Sequence, residues 1–275
     1  MPTVLLTGMP RSGTTLACSI LNDFPDTVAL AEPLTLDRRG DRSGAIREID
    51  QFVAEARELI LTTGAAPTKH RDGLMVDNFV EPPTGHGLRN SLASHGTVRV
   101  EKPLSRDFHL VIKHPAEFTA LWDLLTPRYS LYAIVRNPLA VLAAWQTVNM
   151  KVNRGHMKMA EVFLPDLAGQ LARTPDVLGR QIILIEWMLG VYAAFPPGHV
   201  LRYEDILRAP HMELARLSPN ACETDRDLRA YDPGTRYPGV NLSRLARALL
   251  PVRHRIERFY PDFEATLHPH LAAAD

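Results

Sequence analysis

From residue 3 to residue 24 the chain passes through an apolar run, Thr3 to Thr7, and a glycine turn, Gly8-Met9-Pro10-Arg11-Ser12-Gly13-Thr14-Thr15. Apolar residues then follow at helical intervals from Thr14 to Phe24. This order of strand, turn and helix restricts the fold more than any other feature, because a strand followed by a crossover helix is the opening of an α/β unit. A turn in that position points successive backbone N–H groups, and the positive end of the helix, at one place. That is a cradle for a phosphate or a sulfate. The same glycines also suit a plain strand-to-helix connection with Arg11 in solvent, but Pro10, Arg11, Ser12 and two threonines in register favour the anion site.

The remaining chain continues the alternation. Val28 to Ala31, Leu110 to Lys113, Leu131 to Val135 and His199 to Arg202 are short and mostly apolar, as strands covered on both faces are. Helices are predicted at Ala45 to Leu61, with Ser43 as its cap, and at Ala116 to Leu125, Leu139 to Val148, Val177 to Phe195 and Ser243 to Phe259. The expected fold is α/β, a P-loop-like parallel sheet of about five strands with helices on both faces. One domain spanning residues 1–275 is the simplest division. Ligands in such folds collect at the carboxyl ends of the strands. From Thr62 to His109, Pro67, Pro82, Pro83 and Pro103 with several Gly and His residues interrupt every periodic pattern. An acceptor-binding lid and a mobile insertion both stand as readings of that region.

Composition excludes several classes. With 275 residues, roughly 70–75% of the unfolded surface is buried on folding, so neither a disulfide nor a structural metal is required for stability. The 31 basic and 31 acidic side chains cancel, which removes the global field a nucleic-acid or anionic-membrane binder uses. The two cysteines, Cys18 and Cys222, and the lack of a basic leader before the first strand favour a reducing, cytoplasmic setting. No window approaches the roughly 20 apolar residues of a membrane span. No H-x-x-x-H pair, CxxC pair or carboxylate-rich loop suggests a metal.

The glycine spacing matches the nucleotide-binding P-loop, yet Thr14 stands where that motif has its phosphate-binding lysine. The cation has moved to Arg11 at the crest, where a guanidinium can grip a tetrahedral anion with two parallel hydrogen bonds. Here the chain resembles the sulfotransferases that use 3′-phosphoadenosine 5′-phosphosulfate, whose P-[RK]-S-G-T-T loop holds the 5′-phosphosulfate. Pro10, Arg11, Ser12, Gly13, Thr14 and Thr15 match it throughout. Arg136-Asn137-Pro138, after the strand Leu131 to Val135, is similar to the family's R-[DN]-P element, whose arginine holds the 3′-phosphate. Asn137 is suited to cap the next helix and Pro138 to its first turn. The family's serine, eight residues further on, is Ala144 here, with Thr147 a turn beyond it. Leu201-Arg202-Tyr203-Glu204-Asp205-Ile206 resembles the family's L-x-Y-E-D-L segment, in which Glu204 and Asp205 are expected to be structural. Gly234-Thr235-Arg236-Tyr237 loosely resembles its nucleotide-covering segment, making Arg236 a further phosphate ligand.

The resemblance implies sulfuryl transfer from that donor to a hydroxyl or amine of a small acceptor, leaving 3′-phosphoadenosine 5′-phosphate, with no metal. Charge developing in such a transfer is met by turn amides, Arg11 and Lys113. Two residues qualify as the base that takes the acceptor's proton: Glu32, after the second strand, and His114, beside Lys113 after the third. Among other histidines, His70, His86, His95 and His109 fall in the irregular stretch, within possible reach of an acceptor. Two alternatives remain: a P-loop kinase or hydrolase, which requires a lysine at position 14 and an acidic magnesium ligand, and a noncatalytic nucleotide-binding relative, which Ala144 keeps open.

Overall fold

The computed structural model describes residues 3–37, 39–82 and 87–271; Pro83 and His86 lie outside them. Its strands are β1 (Thr3–Gly8), β2 (Thr27–Ala31), β3 (Ala65–His70), β4 (Ser94–Arg99), β5 (His109–Lys113), β6 (Ser130–Val135) and β7 (Val200–Arg202). Five of them form one parallel sheet in the order β2-β5-β1-β6-β7, and β3 and β4 pair antiparallel as a separate hairpin. The helices are α1 (Thr14–Leu21), α2 (Arg42–Thr63), α3 (Pro115–Ala120), α4 (Trp122–Leu125), α5 (Pro138–Gln146), α6 (Lys158–Phe163) and α7 (Pro165–Arg173). There follow α8 (Val177–Tyr192), α9 (Tyr203–Arg208), α10 (Pro210–Leu214), α11 (Pro233–Arg236), α12 (Leu242–Leu249), α13 (Arg253–Ile256) and α14 (Phe263–Leu271).

Strand alternation sorts the core. Leu5, Leu110, Ile112 and Ala133 face the larger cluster, built with α2, α3, α5 and α8, whereas Val4, Leu6, Val111 and Ile134 face the smaller one with α1, α9 and α10. Both faces are therefore covered, and each fully buried Leu or Ile contributes about 1.5–3 kcal/mol. The expected α/β sheet with helices on both faces is what the chain forms.

Several boundaries differ from the sequence expectation. Ser43 lies inside α2, and Asp41 takes the cap position. The single helix expected over Ser243 to Phe259 is split into α12, a 3₁₀ turn at Leu250–Val252 and α13. Pro251, which has no N–H to donate, accounts for the break. The Thr62 to His109 stretch is not irregular throughout: it holds the end of α2 and the β3–β4 hairpin. Pro67 and Gly96 hid that hairpin, because both are poor strand formers; among the described residues no further strand pairs with either edge of the hairpin, a setting that tolerates proline. Cys18 is buried, Cys222 is exposed, and both are free. No described helix is long and apolar enough to cross a membrane.

Candidate active site

β1, in the middle of the sheet, delivers the glycine turn to the carboxyl ends of the strands. The turn's carbonyls are tied down from outside. Trp145 Nε1–H, from α5, donates to Pro10 O at 2.8 Å, and Arg136 Nη1–H, from the end of β6, donates to Arg11 O at 3.2 Å. With these oxygens held outward, the amides that open α1 at Thr14, Thr15 and Leu16 come before any intrahelical acceptor. Both glycines are needed for close approach. A Cβ on Gly8 would stand 2.5 Å from Ile134 O, and one on Gly13, where φ is +93°, would stand 2.3 Å from the Tyr203 ring.

Arg11 sits at the crest with φ 71°, an uncommon conformation for a side chain of its size. Such strain persists only where surrounding structure enforces it, and it clusters at functional sites. Its Nη1–H donates to Asn78 Oδ1 at 3.1 Å, and its buried Nε–H has no hydrogen-bond partner among the described residues. Burial pushes the guanidinium down to about 10, with Arg89 and Arg136 adding to that shift and the Tyr237 and Tyr203 phenols opposing it. A buried donor left without a partner costs about 1–3 kcal/mol, so the geometry suits a ligand that fills it.

Arg11, Thr14, Thr15 and Arg136 line one cavity of about 350 Å3 together with Arg236 and the rings of Tyr203, Tyr231 and Tyr237. The Arg136 guanidinium lies 4.7 Å over the Tyr203 ring, and Arg236 lies 4.5 Å over Tyr231. The cavity thus combines cations with flat aromatic faces, the two surfaces that a phosphorylated nucleoside requires. Asn137 caps α5 as expected, accepting from Leu139 N–H at 3.0 Å.

Other expected contributors are placed differently. Ser12 spends its side-chain donor on Ile134 O at 2.9 Å and its amide on Met9 O, so it braces the turn and does not offer a donor to a ligand. Pro10 contributes the carbonyl that Trp145 holds, and is not part of the cavity lining. Ala144 is fully buried. Thr147 donates to Ala144 O and accepts from Arg89 Nη2–H at 2.7 Å, so it does not turn toward the cavity in place of the missing serine. Glu204 accepts from Asn137 N–H at 3.0 Å and Tyr260 Oη–H at 2.7 Å, a structural post as expected.

A second cluster stands at the ends of β2 and β5. Glu32, φ 48°, takes the Lys113 ammonium on Oε1 at 2.5 Å and the Lys69 ammonium on Oε2. Burial alone raises the Glu32 carboxyl; Lys113 and then Lys69 outweigh it and hold the carboxyl well below the usual carboxylate range. Neither Glu32 nor Lys113 is part of the cavity lining. His114 is buried, and both ring nitrogens face protein groups. Nε2 accepts from Leu34 N–H at 3.0 Å, and Nδ1 lies 3.3 Å from Glu117 Oε2. Both nitrogens therefore have protein partners, as both carboxylate oxygens of Glu32 do.

Of the other histidines, His95 pairs across from Lys69 in the hairpin, and His70 accepts from Gly73 N–H at 3.2 Å. His109 opens β5, at the opposite end of the strand from Lys113 and so away from the turn. Sequence reasoning missed Lys69, Asn78, Arg89 and Trp145. Tyr203 was legible inside the L-x-Y-E-D-L segment, but only the structure shows its ring against Gly13.

No protein-family model matches the chain, and no curated protein matches it. Among solved structures it is similar to a sulfotransferase from Alicyclobacillus acidocaldarius, at 12% identity over 94% of this chain and 95% of that one, with a TM-score of 0.44. It is also similar to the sulfotransferase domain from the curacin biosynthetic pathway, at 15% identity over 85% of this chain and 80% of that one, with a TM-score of 0.37. Among the described residues no three His, Cys, Asp or Glu side chains gather as a metal site.

Proposed function

We propose that this chain is a sulfotransferase that binds 3′-phosphoadenosine 5′-phosphosulfate and passes its sulfuryl group to a hydroxyl or amine of a small acceptor. The observation that carries this reading is Arg11: a strained, partly buried guanidinium with an unspent Nε–H at the crest of a glycine turn, where a P-loop kinase or hydrolase presents a lysine at position 14. The turn amides and Arg11 would bind the 5′-phosphosulfate, with Thr14 and Thr15 lining the same space. Arg136 and Arg236 would take the 3′-phosphate, and Tyr203 or Tyr231 would lie against the base.

In the proposed reaction the acceptor oxygen forms a bond to sulfur while the bond from sulfur to the 5′-phosphate oxygen breaks, its electron pair staying with the phosphate. The acceptor's proton passes to Glu32. Lys113 would meet charge developing on the departing oxygen, and each well-aimed donor of this kind is worth about 3–4 kcal/mol. The whole chain would act as one catalytic domain, and two unpaired cysteines agree with a cytoplasmic enzyme.

A thermal-shift titration tests the donor assignment, since a ligand selective for the folded state raises its stability by mass action. 3′-phosphoadenosine 5′-phosphate is expected to raise Tm more than ADP, ATP or AMP, with or without magnesium. Equal shifts with ADP would overturn the assignment and return the chain to the nucleoside-phosphate enzymes.

A further inference from the structure

Glu32 carries one ammonium on each carboxylate oxygen, and the two arrive by different routes. Lys113 ends β5 inside the parallel sheet and is 1% exposed. Lys69 comes from the β3–β4 hairpin, which stands outside that sheet. The hairpin is fastened at the place that matters: Ala31 N–H donates to Thr68 Oγ1 at 2.9 Å, so the residue before Glu32 grips the residue before Lys69. Glu32 N–H donates in turn to Lys113 O at 2.8 Å. Main chain and side chain are both clamped.

Two cations on one carboxylate leave these three residues with a surplus positive charge, Lys113 being buried and Glu32 and Lys69 each about a quarter exposed. Neutralising Glu32 needs only one partner, and burying a second ammonium has a desolvation cost. The surplus has a use if Lys113 is required elsewhere during the reaction. We propose that Lys69 is a positioning residue for sulfuryl transfer, brought by the β3–β4 hairpin to hold Glu32 in place while the Lys113 ammonium turns to the departing phosphate oxygen. The inference rests on the sulfuryl-transfer reading above, with Glu32 as the proton acceptor.

The charged and titratable groups around Glu32 besides the lysines are His95 from β4, His114 after β5, Glu117 from α3 and Cys18 from α1. Burial opposes ionisation of Glu32 and the lysines favour it, so loss of Lys69 moves the carboxyl upward.

The test follows the Glu32 carboxyl by carbon-13 NMR through a pH titration, in the full chain with and without bound 3′-phosphoadenosine 5′-phosphate. Lys69→Met is expected to raise the Glu32 midpoint by about half a pH unit or more, and Lys69→Arg to restore it. Affinity for the nucleotide should stay within about twofold of wild type, because Lys69 acts on the base and not on the donor pocket. Release of the nucleotide from the sulfated donor, with water as acceptor, is expected to slow about tenfold in Lys69→Met at neutral pH, where Glu32 is ionised in both proteins, because the carboxylate is no longer held in place. In a Glu32→Gln background the Lys69 substitution should add nothing. An unmoved Glu32 midpoint in Lys69→Met, or a moved midpoint with the rate unchanged, overturns the role given to Lys69. Wild-type speed in Glu32→Gln instead overturns the sulfuryl-transfer reading with Glu32 as base. A Lys69→Met protein that does not fold passes the decision to Lys69→Gln under the same titration.

Discussion

The two clusters at the top of the sheet are built on opposite principles. Around Glu32 the polar atoms have their partners within the protein: each carboxylate oxygen has an ammonium, and His114 beside it has partners at both nitrogens. In the cavity by the turn, cations outnumber their partners. Arg229 is spoken for by Asp227 at 2.7 Å, but Arg11, Arg136 and Arg236 face the same space without a carboxylate ion pair among the described residues. The first region has its hydrogen-bonding capacity filled from within, whereas the second keeps donors that a bound anion would satisfy. Glu32, the proposed base, follows β2, two strands from the β1 end that carries the turn.

Breaking the self-contained side should have the largest effect. Glu32→Gln is expected to lower turnover about 10²–10⁴-fold while leaving affinity for 3′-phosphoadenosine 5′-phosphate within about twofold, as steady-state rates and calorimetry would report. It should also cost about 3 kcal/mol of stability, because Lys113 keeps its charge in a buried site without its anion. The pH dependence has a definite sign. Glu32 is held below its ordinary value in the folded chain, so its contribution is complete above the unfolded value of about 4.3 and is lost as pH falls toward the folded value. The acid side of the Tm profile should therefore be flatter in Glu32→Gln than in wild type.

Breaking the receiving side should uncouple binding from stability. Arg11→Ala is expected to weaken nucleotide binding about 100-fold, worth roughly 3 kcal/mol, while the nucleotide-free Tm holds, because a cation pressed against Arg89 and Arg136 has been removed. A large fall in Tm with binding retained would make Arg11 a structural residue. His114→Ala sharpens the contrast by testing a brace: a loss of about 2–3 kcal/mol in denaturant unfolding is expected, with the pH profile of turnover keeping its shape. If the profile loses its acid limb instead, the base is His114. The smallest effect belongs to Trp145→Phe, which removes one bond to the turn at Pro10 O. About 1 kcal/mol, or a fivefold loss of nucleotide affinity, is the expected result by calorimetry.

Legibility in the sequence follows the range of the forces involved. The parallel sheet was readable because five short apolar strands must alternate with covering helices, and the turn because its glycines, arginine and threonines are contiguous. Arg136 and Asn137 were readable because a strand end and a helix cap are local features. The hairpin was not, since Pro67 and Gly96 weaken its strand signal and its pairing joins residues about thirty positions apart. Lys69, Asn78 and Arg89 stayed hidden for the same reason: each reaches its partner, Glu32, Arg11 and Thr147 respectively, only after the intervening segment has folded back over the turn. For His114 the sequence set a histidine beside a lysine, and only packing against Leu34 and Glu117 revealed that its nitrogens are occupied.

The most direct measurement is a crystal structure of the chain soaked with 3′-phosphoadenosine 5′-phosphate. The 5′-phosphate should lie against the amides of Gly13 to Thr15 with Arg11 donating to it from Nε, and the 3′-phosphate should lie at Arg136. A nucleotide bound elsewhere, with the Arg11 guanidinium still turned to Asn78, would contradict the account.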